Sequence, residues 1–227
     1  MSKTIRQRVS ILGLGMLLCG GVFPALAQVA PPLGQAGGFA VLGGSTVTNT
    51  GATAVTGDVG VSPGTAITGF PPGTLTGTLH SNDAVAQGGQ TDLTTAYNAL
   101  AGQACNTSLT GMDLGGLTLT SAVYCFSSSA QLTGTLTLDA QNNPNAVFIF
   151  QIGSTLTTAS ASSVVVINGG SDCNVFWQVG ASETRGTGTG FVGNTLALTS
   201  ITLTTNATSH GSLLARNGDA KMDTNQI

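Results

Sequence analysis

The chain has 227 residues and a formal net charge of −3, and only 7% of its residues are Asp, Glu, Lys or Arg, where about 25% is usual. Hydrophobic residues make up 41%, so the composition is not the charged, weakly hydrophobic one of disordered chains. The scarcity of basic residues argues against nucleic acid and against an anionic membrane surface as partners, because both need a basic face.

The first 27 residues read as a secretory signal peptide. Three basic residues end at Arg8, a short apolar run extends from Val9 to Phe23, and residues 25–27 fit a small-x-small cleavage site. Cleavage after Ala27 would leave three basic against nine acidic residues, a net charge of −6. We therefore expect a secreted protein whose mature part, 28–227, forms one domain.

Short strands dominate the start of the mature part. Residues 39–50, 52–61 and 64–70 are apolar or alternating runs, and glycine and proline separate them.

The next segment differs, because its apolar residues recur at helical spacing. Ser81 or Asn82 can cap its start, which predicts one helix over about 81–104, although Gly88 and Gly89 weaken it by about 1 kcal/mol each. The residues on the predicted apolar stripe are Val85, Leu93, Ala96, Tyr97, Leu100 and Ala104.

Strands resume at 114–126, 130–140 and 146–153, and a loose repeat follows. The run "VFIFQIG" is echoed by "VFWQVG", "FVGNTLAL" and "SLLARNG", and a polar segment such as "STLTTAS" or "TSITLTT" comes after each. A repeat of about 20–28 residues predicts a β-solenoid, in which each coil packs against its neighbours.

Two kinds of strand indicate two kinds of face. The run "AVFIFQI" is apolar at both alternating positions, so both of its sides should be covered, and the helix is the available cover. In the hydroxyl-rich strands, Leu156, Ile201 and Leu203 point inward, while threonines such as Thr157 and Thr202 point outward. We therefore expect one face under the helix and another that is bare and uncharged.

A bare threonine face suits an unusual ligand. Same-side residues on a strand lie about 6.7 Å apart and neighbouring strands about 4.8 Å apart, and threonine is stiff at χ1. Such a grid of methyls and hydroxyls can order water into an ice-like lattice, whereas charges would hold water in incompatible hydration shells.

Several blocks of the sequence resemble the DUF3494 family of microbial ice-binding proteins from about residue 33 to the end. They occur in the family's order: "GFAVLGGSTVTNTGATAVTGDVGVSPGTAITGFPPG", "DLTTAYNALAGQAC", "SAVYCFSSSAQLTGTLTLDA", "NAVFIFQIGSTLTTAS", "CNVFWQVG" and "SLLARNGDAKMDTN". The resemblance implies a discontinuous right-handed β-solenoid of triangular section with one helix alongside, and adsorption to an ice surface.

Many members of that family carry a T-A/G-x-T/N motif on the ice-binding face. Two copies stand here at 53–56 and 65–68, and a third string at 95–98 falls in the predicted helix and is taken as chance. The candidate ice-binding residues are therefore Thr53, Ala54, Thr56, Thr65, Ala66, Thr68, Thr155, Thr157, Ser200, Thr202 and Thr204.

Charged residues interrupt the hydroxyl pattern in two coils. In "SETRGT" they are Glu183 and Arg185, and in "GDAKMD" they are Asp219 and Lys221, which should point outward if Ala220 and Met222 point inward. If these charges share the threonine face, they shrink or divide its flat area.

Three cysteines follow the leader, Cys105, Cys125 and Cys173. An exported chain can form disulfides, and we prefer a Cys105–Cys125 pair, although the sequence does not fix the connectivity. No Cys or His spacing fits zinc, and the lone histidines, His80 and His210, have no partner motif, so we expect neither metal nor cofactor.

Two alternatives to ice binding stay open: an adhesive or structural β-solenoid that binds an extracellular polymer, and a carbohydrate-active enzyme. The enzyme would need paired carboxylates in a groove, but the aspartates are dispersed and mostly adjoin Gly or Asn, as in turns. Trp177 lies in an apolar run, which favours a buried role over a sugar platform. The favoured interpretation is a non-enzymatic, monomeric ice-binding protein.

Overall fold

The computed structural model describes residues 28–227; the expected signal peptide, 1–27, lies outside the described residues. Parallel β-sheets stack short strands in successive coils around a large apolar core, and one α-helix, α1 (Ala84–Ala101), lies against one sheet. Two short 3-10 helices span Gly34–Gly38 and Asp172–Asn174. The prediction of a mainly β solenoid with a helix alongside is confirmed.

Sheet A has nine strands and carries α1. With strands numbered in chain order, its order is β7 (Leu79–Ser81), β4 (Asp58–Val61), β1 (Phe39–Gly43), β22 (Leu213–Ala215), β19 (Asn194–Ala197), β16 (Val175–Val179), β13 (Phe148–Ile152), β10 (Val123–Phe126) and β8 (Thr107–Ser108).

Sheet B has seven strands. Their order is β11 (Ala130–Leu132), β14 (Leu156–Thr158), β17 (Glu183–Arg185), β20 (Ile201–Leu203), β23 (Ala220–Met222), β2 (Thr46–Asn49) and β5 (Ala66–Thr68).

Sheet C consists of a five-stranded and a two-stranded part, which single-residue bridges from Gln226 to Thr208 and Ala54 connect. The five strands are β21 (Thr208–His210), β18 (Gly190–Val192), β15 (Ser163–Ile167), β12 (Thr135–Asp139) and β9 (Thr118–Thr120), and the two are β3 (Ala54–Thr56) and β6 (Thr74–Thr76).

The solenoid is discontinuous, because β1 pairs with β4 on one side and with β22 on the other. The first described strand, β1, therefore lies in the middle of sheet A; the next coils build one end through β7, and α1 crosses to the other end. The later coils then return from β8 to β22 and close against β1. The 18 residues of α1 span about 27 Å, most of the roughly 38 Å between the outer strands of a nine-stranded sheet.

Helix α1 begins one residue later than the expected caps. Asp83 is the N-cap, and its Oδ1 accepts a hydrogen bond from the Ala86 N–H at 2.9 Å. Asn82 lies in the left-handed region at φ 48°, so Asp83 is the residue with the extended backbone that an N-cap requires. The expected apolar stripe is wrong at its ends, because Val85 is 43% exposed and Ala104 follows the helix.

The apolar face of α1 packs on sheet A through Leu93 and Leu100, both fully buried. Gly89 lies on the same face, where a Cβ would stand 2.7 Å from the Phe39 ring. The glycine that weakens the isolated helix thus allows the helix to approach the sheet. At the helix C-terminus, Gln151 Nε2 donates to the Leu100 carbonyl at 2.7 Å.

The solenoid interior contains a column of aromatic rings. Tyr124, Phe150, Trp177 and Phe191 follow one another with centroid separations of 5.5, 4.0 and 4.8 Å. Trp177 is fully buried, and its Nε1 donates to the Val192 carbonyl at 3.0 Å, which satisfies the one polar group of the ring. The buried role expected for this tryptophan is confirmed.

Cys105 and Cys125 form a disulfide with a Cα–Cα distance of 5.9 Å. It links strand β10 to the segment that follows α1. Cys173 is free and exposed among the described residues. Between residues 28 and 227, no helix is both long enough and apolar enough to cross a membrane.

Candidate functional site

Sheet B presents one outward side chain per strand at matching register, and we call this row the threonine column. The parallel register fixes this alignment, and the central pairs are Thr184 with Thr202 and Thr202 with Lys221. Seven strands at about 4.8 Å spacing give the column a length of about 29 Å. Its members in order are Gln131, Thr157, Thr184, Thr202, Lys221, Thr48 and Thr68.

The hydroxyls of the threonine column are free. Those of Thr157, Thr184 and Thr202 make no hydrogen bond to any described residue, so their donors and acceptors face solvent. The side chains between them in sequence point inward, and Leu156 and Ile201 are fully buried. Because β-branching restricts the χ1 angle of threonine, the side chains of the column are stiff.

A second line, the flanking column, consists of the residues two positions earlier in the sequence, which lie at the start of each strand or immediately before it. Its hydroxyls are tied to one another and to the backbone: Thr155 Oγ1 donates to Ser129 Oγ at 2.9 Å, and Ser200 Oγ accepts from the Asp219 N–H at 3.2 Å. These bonds hold the edge of the face in place. The members are Ser129, Thr155, Ser182, Ser200, Asp219, Thr46 and Ala66.

Six of the eleven candidate residues come together on sheet B. They are Thr155, Thr157, Ser200, Thr202, Ala66 and Thr68, the last two on the edge strand β5. Thr65 precedes that strand and is exposed. Thr204 follows β20 at the corner of the solenoid, where its Oγ1 donates to the Arg185 carbonyl at 2.8 Å.

The motif at 53–56 lies on a different face. Ala54 and Thr56 point outward from sheet C. Thr53 is fully buried at the preceding corner, where its Oγ1 donates to Asn49 Oδ1 at 2.6 Å and accepts from the Asn225 N–H at 3.1 Å. The two copies of the motif therefore belong to separate surfaces, and Thr53 has a structural role.

The charges of β17 do not interrupt the threonine column. Glu183 and Arg185 point into the solenoid, both 0% exposed, with Arg185 Nε 3.0 Å from Glu183 Oε1. Thr184, between them, is exposed on sheet B. The sequence pattern leaves the direction of this strand open because all three residues are polar, and the buried ion pair decides it.

The charges of β23 do lie on the face, as expected from the buried Ala220 and Met222. Lys221 is in the threonine column, Asp219 is in the flanking column, and Lys221 Nζ is 2.7 Å from Asp219 Oδ2. Partial burial raises the pKa of Asp219, but hydrogen bonds from Lys221 and Ser200 outweigh it and hold that pKa below its ordinary value. Asp219 is therefore a carboxylate at neutral pH, beside the Lys221 ammonium.

Three members of the threonine column escaped the sequence interpretation: Gln131, Thr184 and Thr48. Thr48 carried a usable signal, since "STVTN" places threonines on both sides of the buried Val47. Gln131 carried none, because one glutamine between Ala130 and Leu132 does not distinguish a ligand face from any exposed strand.

The other two faces are less uniform. Helix α1 covers sheet A. Sheet C carries threonines towards both ends, but Val165 and Ile167 each stand 38% exposed near its middle, and His210 projects from β21. Sheet B is the face on which hydroxyls predominate without exposed apolar side chains of this size.

Acidic residues do not gather in the grooves. His80 lies between Asp83, at 2.7 Å, and Asp58, at 3.6 Å, but Asp83 caps α1 and Asp58 Oδ1 accepts from the Thr78 N–H at 2.8 Å. No carboxylate lines the groove of about 610 Å³ beside the disulfide or that of about 360 Å³ at the end of α1. In the part of the chain that the structure describes, no three His, Cys, Asp or Glu residues are arranged for a metal ion.

Known sequences match this chain over most of its length. Residues 41–227 match the model of a family described as "Ice-binding-like". An "Ice-binding protein" of Nostoc sp. (strain HG1) is 60% identical over 196 residues, which cover 86% of this chain and 72% of that protein. "Ice-binding protein 1" of Shewanella frigidimarina (strain NCIMB 400) is 33% identical over 88% of this chain, which spans only 26% of that longer protein.

Solved structures show the same fold. The crystal structure of an ice binding protein from an Antarctic biological consortium superposes with a TM-score of 0.87 and 48% identity, covering 89% of this chain and 92% of that one. The ice-binding protein of the Antarctic ascomycete Antarctomyces psychrotrophicus gives a TM-score of 0.85 and 40% identity, covering 88% and 98%.

Proposed function

The chain belongs to the ice-binding-like family, and we propose that it is a secreted, non-enzymatic protein that adsorbs to ice through sheet B. The threonine column is the observation that assigns ice binding to sheet B. Five of its seven members are threonines, and their hydroxyls are not engaged by the described part of the protein.

The column presents regularly spaced, mostly uncharged side chains, which suit an ice surface better than most other ligands. Its repeat is set by the strand spacing of about 4.8 Å, and β-branching limits the motion of each side chain. Methyls and hydroxyls at fixed intervals can hold water in a lattice continuous with ice. A sugar or a phosphate would instead call for aromatic platforms or cationic donors, and sheet B presents one cation, Lys221, already paired with Asp219.

Adsorption explains inhibition without catalysis. Molecules fixed to the surface force the ice front to grow between them with a curved profile, and a curved front melts at a lower temperature than a flat one. Growth therefore stops within a temperature interval, the thermal hysteresis, and large crystals no longer grow at the expense of small ones. The helix on sheet A serves the fold and does not touch the ligand.

The remaining properties follow from the sequence. The leader 1–27 directs secretion, and a mature net charge of −6, from three basic and nine acidic residues, does not favour nucleic acid or anionic membranes. The mature protein acts as a monomer in this proposal. The alternative, an adhesive module for an extracellular polymer, fits sheet B less well because neither of its outward columns contains an aromatic residue.

Two matched tyrosine variants test the proposal. Thr184→Tyr places a ring above the middle of the threonine column, and Thr56→Tyr places the same ring on sheet C. The mature chain should shape ice crystals, show thermal hysteresis and inhibit recrystallisation. We expect Thr184→Tyr to lose most of this activity and Thr56→Tyr to retain it, with circular dichroism and melting temperature unchanged in both.

Different failures have different meanings. A concentrated, folded sample of the mature chain that neither shapes ice nor inhibits recrystallisation would overturn the function. Loss of activity in Thr56→Tyr but not in Thr184→Tyr would keep the function and move it to sheet C.

A further inference from the structure

We propose that the Lys221–Asp219 pair divides sheet B, so that only the longer uncharged segment acts as the main ice-contact area. This rests on the proposed function, since it specifies which part of that face binds. The pair spans both outward columns of β23, the fifth of seven strands across the sheet. Its position therefore splits the face unequally.

The register fixes the division. Lys221 is aligned with Thr202 on one side and with Thr48 on the other, so the pair interrupts the threonine column between these two residues. The neighbouring strands on both sides continue the same outward pattern, because Thr184 is aligned with Thr202 and Thr68 with Thr48.

The two segments differ in length and content. The long segment comprises β11, β14, β17 and β20 and measures about 14 Å from strand to strand. The short segment comprises β2 and β5, about 5 Å apart. The outward side chains are Gln131, Thr157, Thr184, Thr202, Ser129, Thr155, Ser182 and Ser200 in the long segment, and Thr48, Thr68, Thr46 and Ala66 in the short one.

The ion pair disturbs an ice lattice for two reasons. An ion pair orients water around itself, and the Lys221 side chain stays 56% exposed despite its bond to Asp219. A lysine is also longer than threonine, so its side chain occupies space that a threonine would leave to water. Ice that fits the long segment therefore meets a bound hydration shell before it reaches Thr48.

Nothing in the core requires the pair. The inward residues of β23, Ala220 and Met222, fill the solenoid interior, and exposed ion pairs contribute little to stability. Asp219 keeps its backbone bond to Ser200 Oγ whatever its side chain. Lys221→Thr with Asp219→Ser therefore extends both columns while leaving the coil intact.

The test compares this double variant with the parent and with Lys221→Arg, which keeps the charge. The uninterrupted column lengthens from four strands to seven, so we expect thermal hysteresis at equal molar concentration to rise about twofold, in proportion to the length at constant strand spacing. Lys221→Arg should stay at the parent value. No rise in a folded double variant overturns the proposal.

A second comparison does not depend on whether the double variant gains thermal hysteresis. In the parent, Thr184→Tyr in the long segment should remove most of the thermal hysteresis, whereas Thr68→Tyr in the short segment should leave most of it. In the double variant, Thr68→Tyr should remove the gain. Equal losses from the two tyrosines in the parent would show an undivided face, which refutes the division but keeps ice binding; absence of activity in the parent refutes the proposed function itself.

Discussion

Arg185 Nε donates to Glu183 Oε1 at 3.0 Å, and both side chains are sealed inside the solenoid while the threonine between them faces solvent. The guanidinium also lies 4.0 Å from the centroid of the Phe191 ring and donates through Nη2 to Thr195 Oγ1 at 2.9 Å. Its Nη1 has no partner among the described residues. Each of these two buried side chains therefore needs the other as its counter-ion.

Removing one partner should be costly. Glu183→Ala leaves the Arg185 charge buried without its counter-ion, and we expect the free energy of unfolding to fall by about 3–5 kcal/mol. Urea titration followed by circular dichroism measures this. The matched control is the double variant Glu183→Leu/Arg185→Met, which replaces the pair by apolar side chains and should lie much closer to the parent. A single variant as stable as the parent would contradict the arrangement.

The two adjacent glycines of α1 should respond in opposite directions to alanine. At Gly89 the new Cβ would meet the Phe39 ring at 2.7 Å, so Gly89→Ala must push the helix away from sheet A and lower the melting temperature. At Gly88 the Cβ would meet the flexible end of Gln35, which can move, and Gly88→Ala should gain up to about 1 kcal/mol of helix propensity. Equal effects at the two positions would contradict the helix packing.

The disulfide should stabilise the end of the solenoid that contains β8 and β10, which the chain enters after α1. Its cysteines are 20 residues apart, and closing a loop of this size contributes about 3 kcal/mol. Cys105→Ser/Cys125→Ser should therefore lower the melting temperature measured by calorimetry. Cys173→Ser is the control and should change nothing, because that thiol is exposed and unpaired among the described residues.

Acid should destabilise the fold. The Ala86 N–H and His80 lower the pKa of Asp83 from 3.8, and the Asn168 amide lowers the pKa of Asp139 from the same value. Because the folded pKa values lie below the unfolded ones, the stabilisation is present above the unfolded pKa, begins to decline as the pH approaches it, and is lost as the pH falls through the folded values. The melting temperature should fall between pH 5 and pH 2, about the range in which these carboxylates titrate.

Asp83→Asn isolates one of these contributions. Asparagine also caps helices but does not titrate, so the variant should be close to the parent at pH 7 and lose less stability on acidification. A variant that follows the parent's acid curve throughout would assign the acid sensitivity to other carboxylates.

Much of the architecture could be predicted from the residues. The period-2 alternation around Ile201 and Leu203 gave the direction of β20, and the doubly apolar run at 146–152 predicted a strand covered on both sides, as β13 is between the core and α1. The helical spacing from Leu93 to Leu100 located α1, because a one-sided apolar stripe must be buried. These patterns are local. They identify the buried side of each element, because apolar side chains must be removed from water.

The candidate face was less predictable. Two copies of the same motif, at 53–56 and 65–68, fall on different sheets. The corner at which Thr53 is buried turns one strand onto sheet C, whereas Thr68 lies beside Thr48 on sheet B. The spacing of hydroxyl-rich strands in the sequence does not indicate to which of the three sheets each strand belongs.

By itself, the sequence determined that the chain forms a sparsely charged, hydroxyl-rich β-solenoid with one covering helix, because alternation and apolar periodicity fix which local faces must be buried. The tertiary structure alone decided which threonines share a plane and which charges reach it. That depends on register between strands far apart in sequence and on a core that accepts Glu183 and Arg185 only as a pair. The threonine column, and its interruption at Lys221, exist only after the coils have stacked.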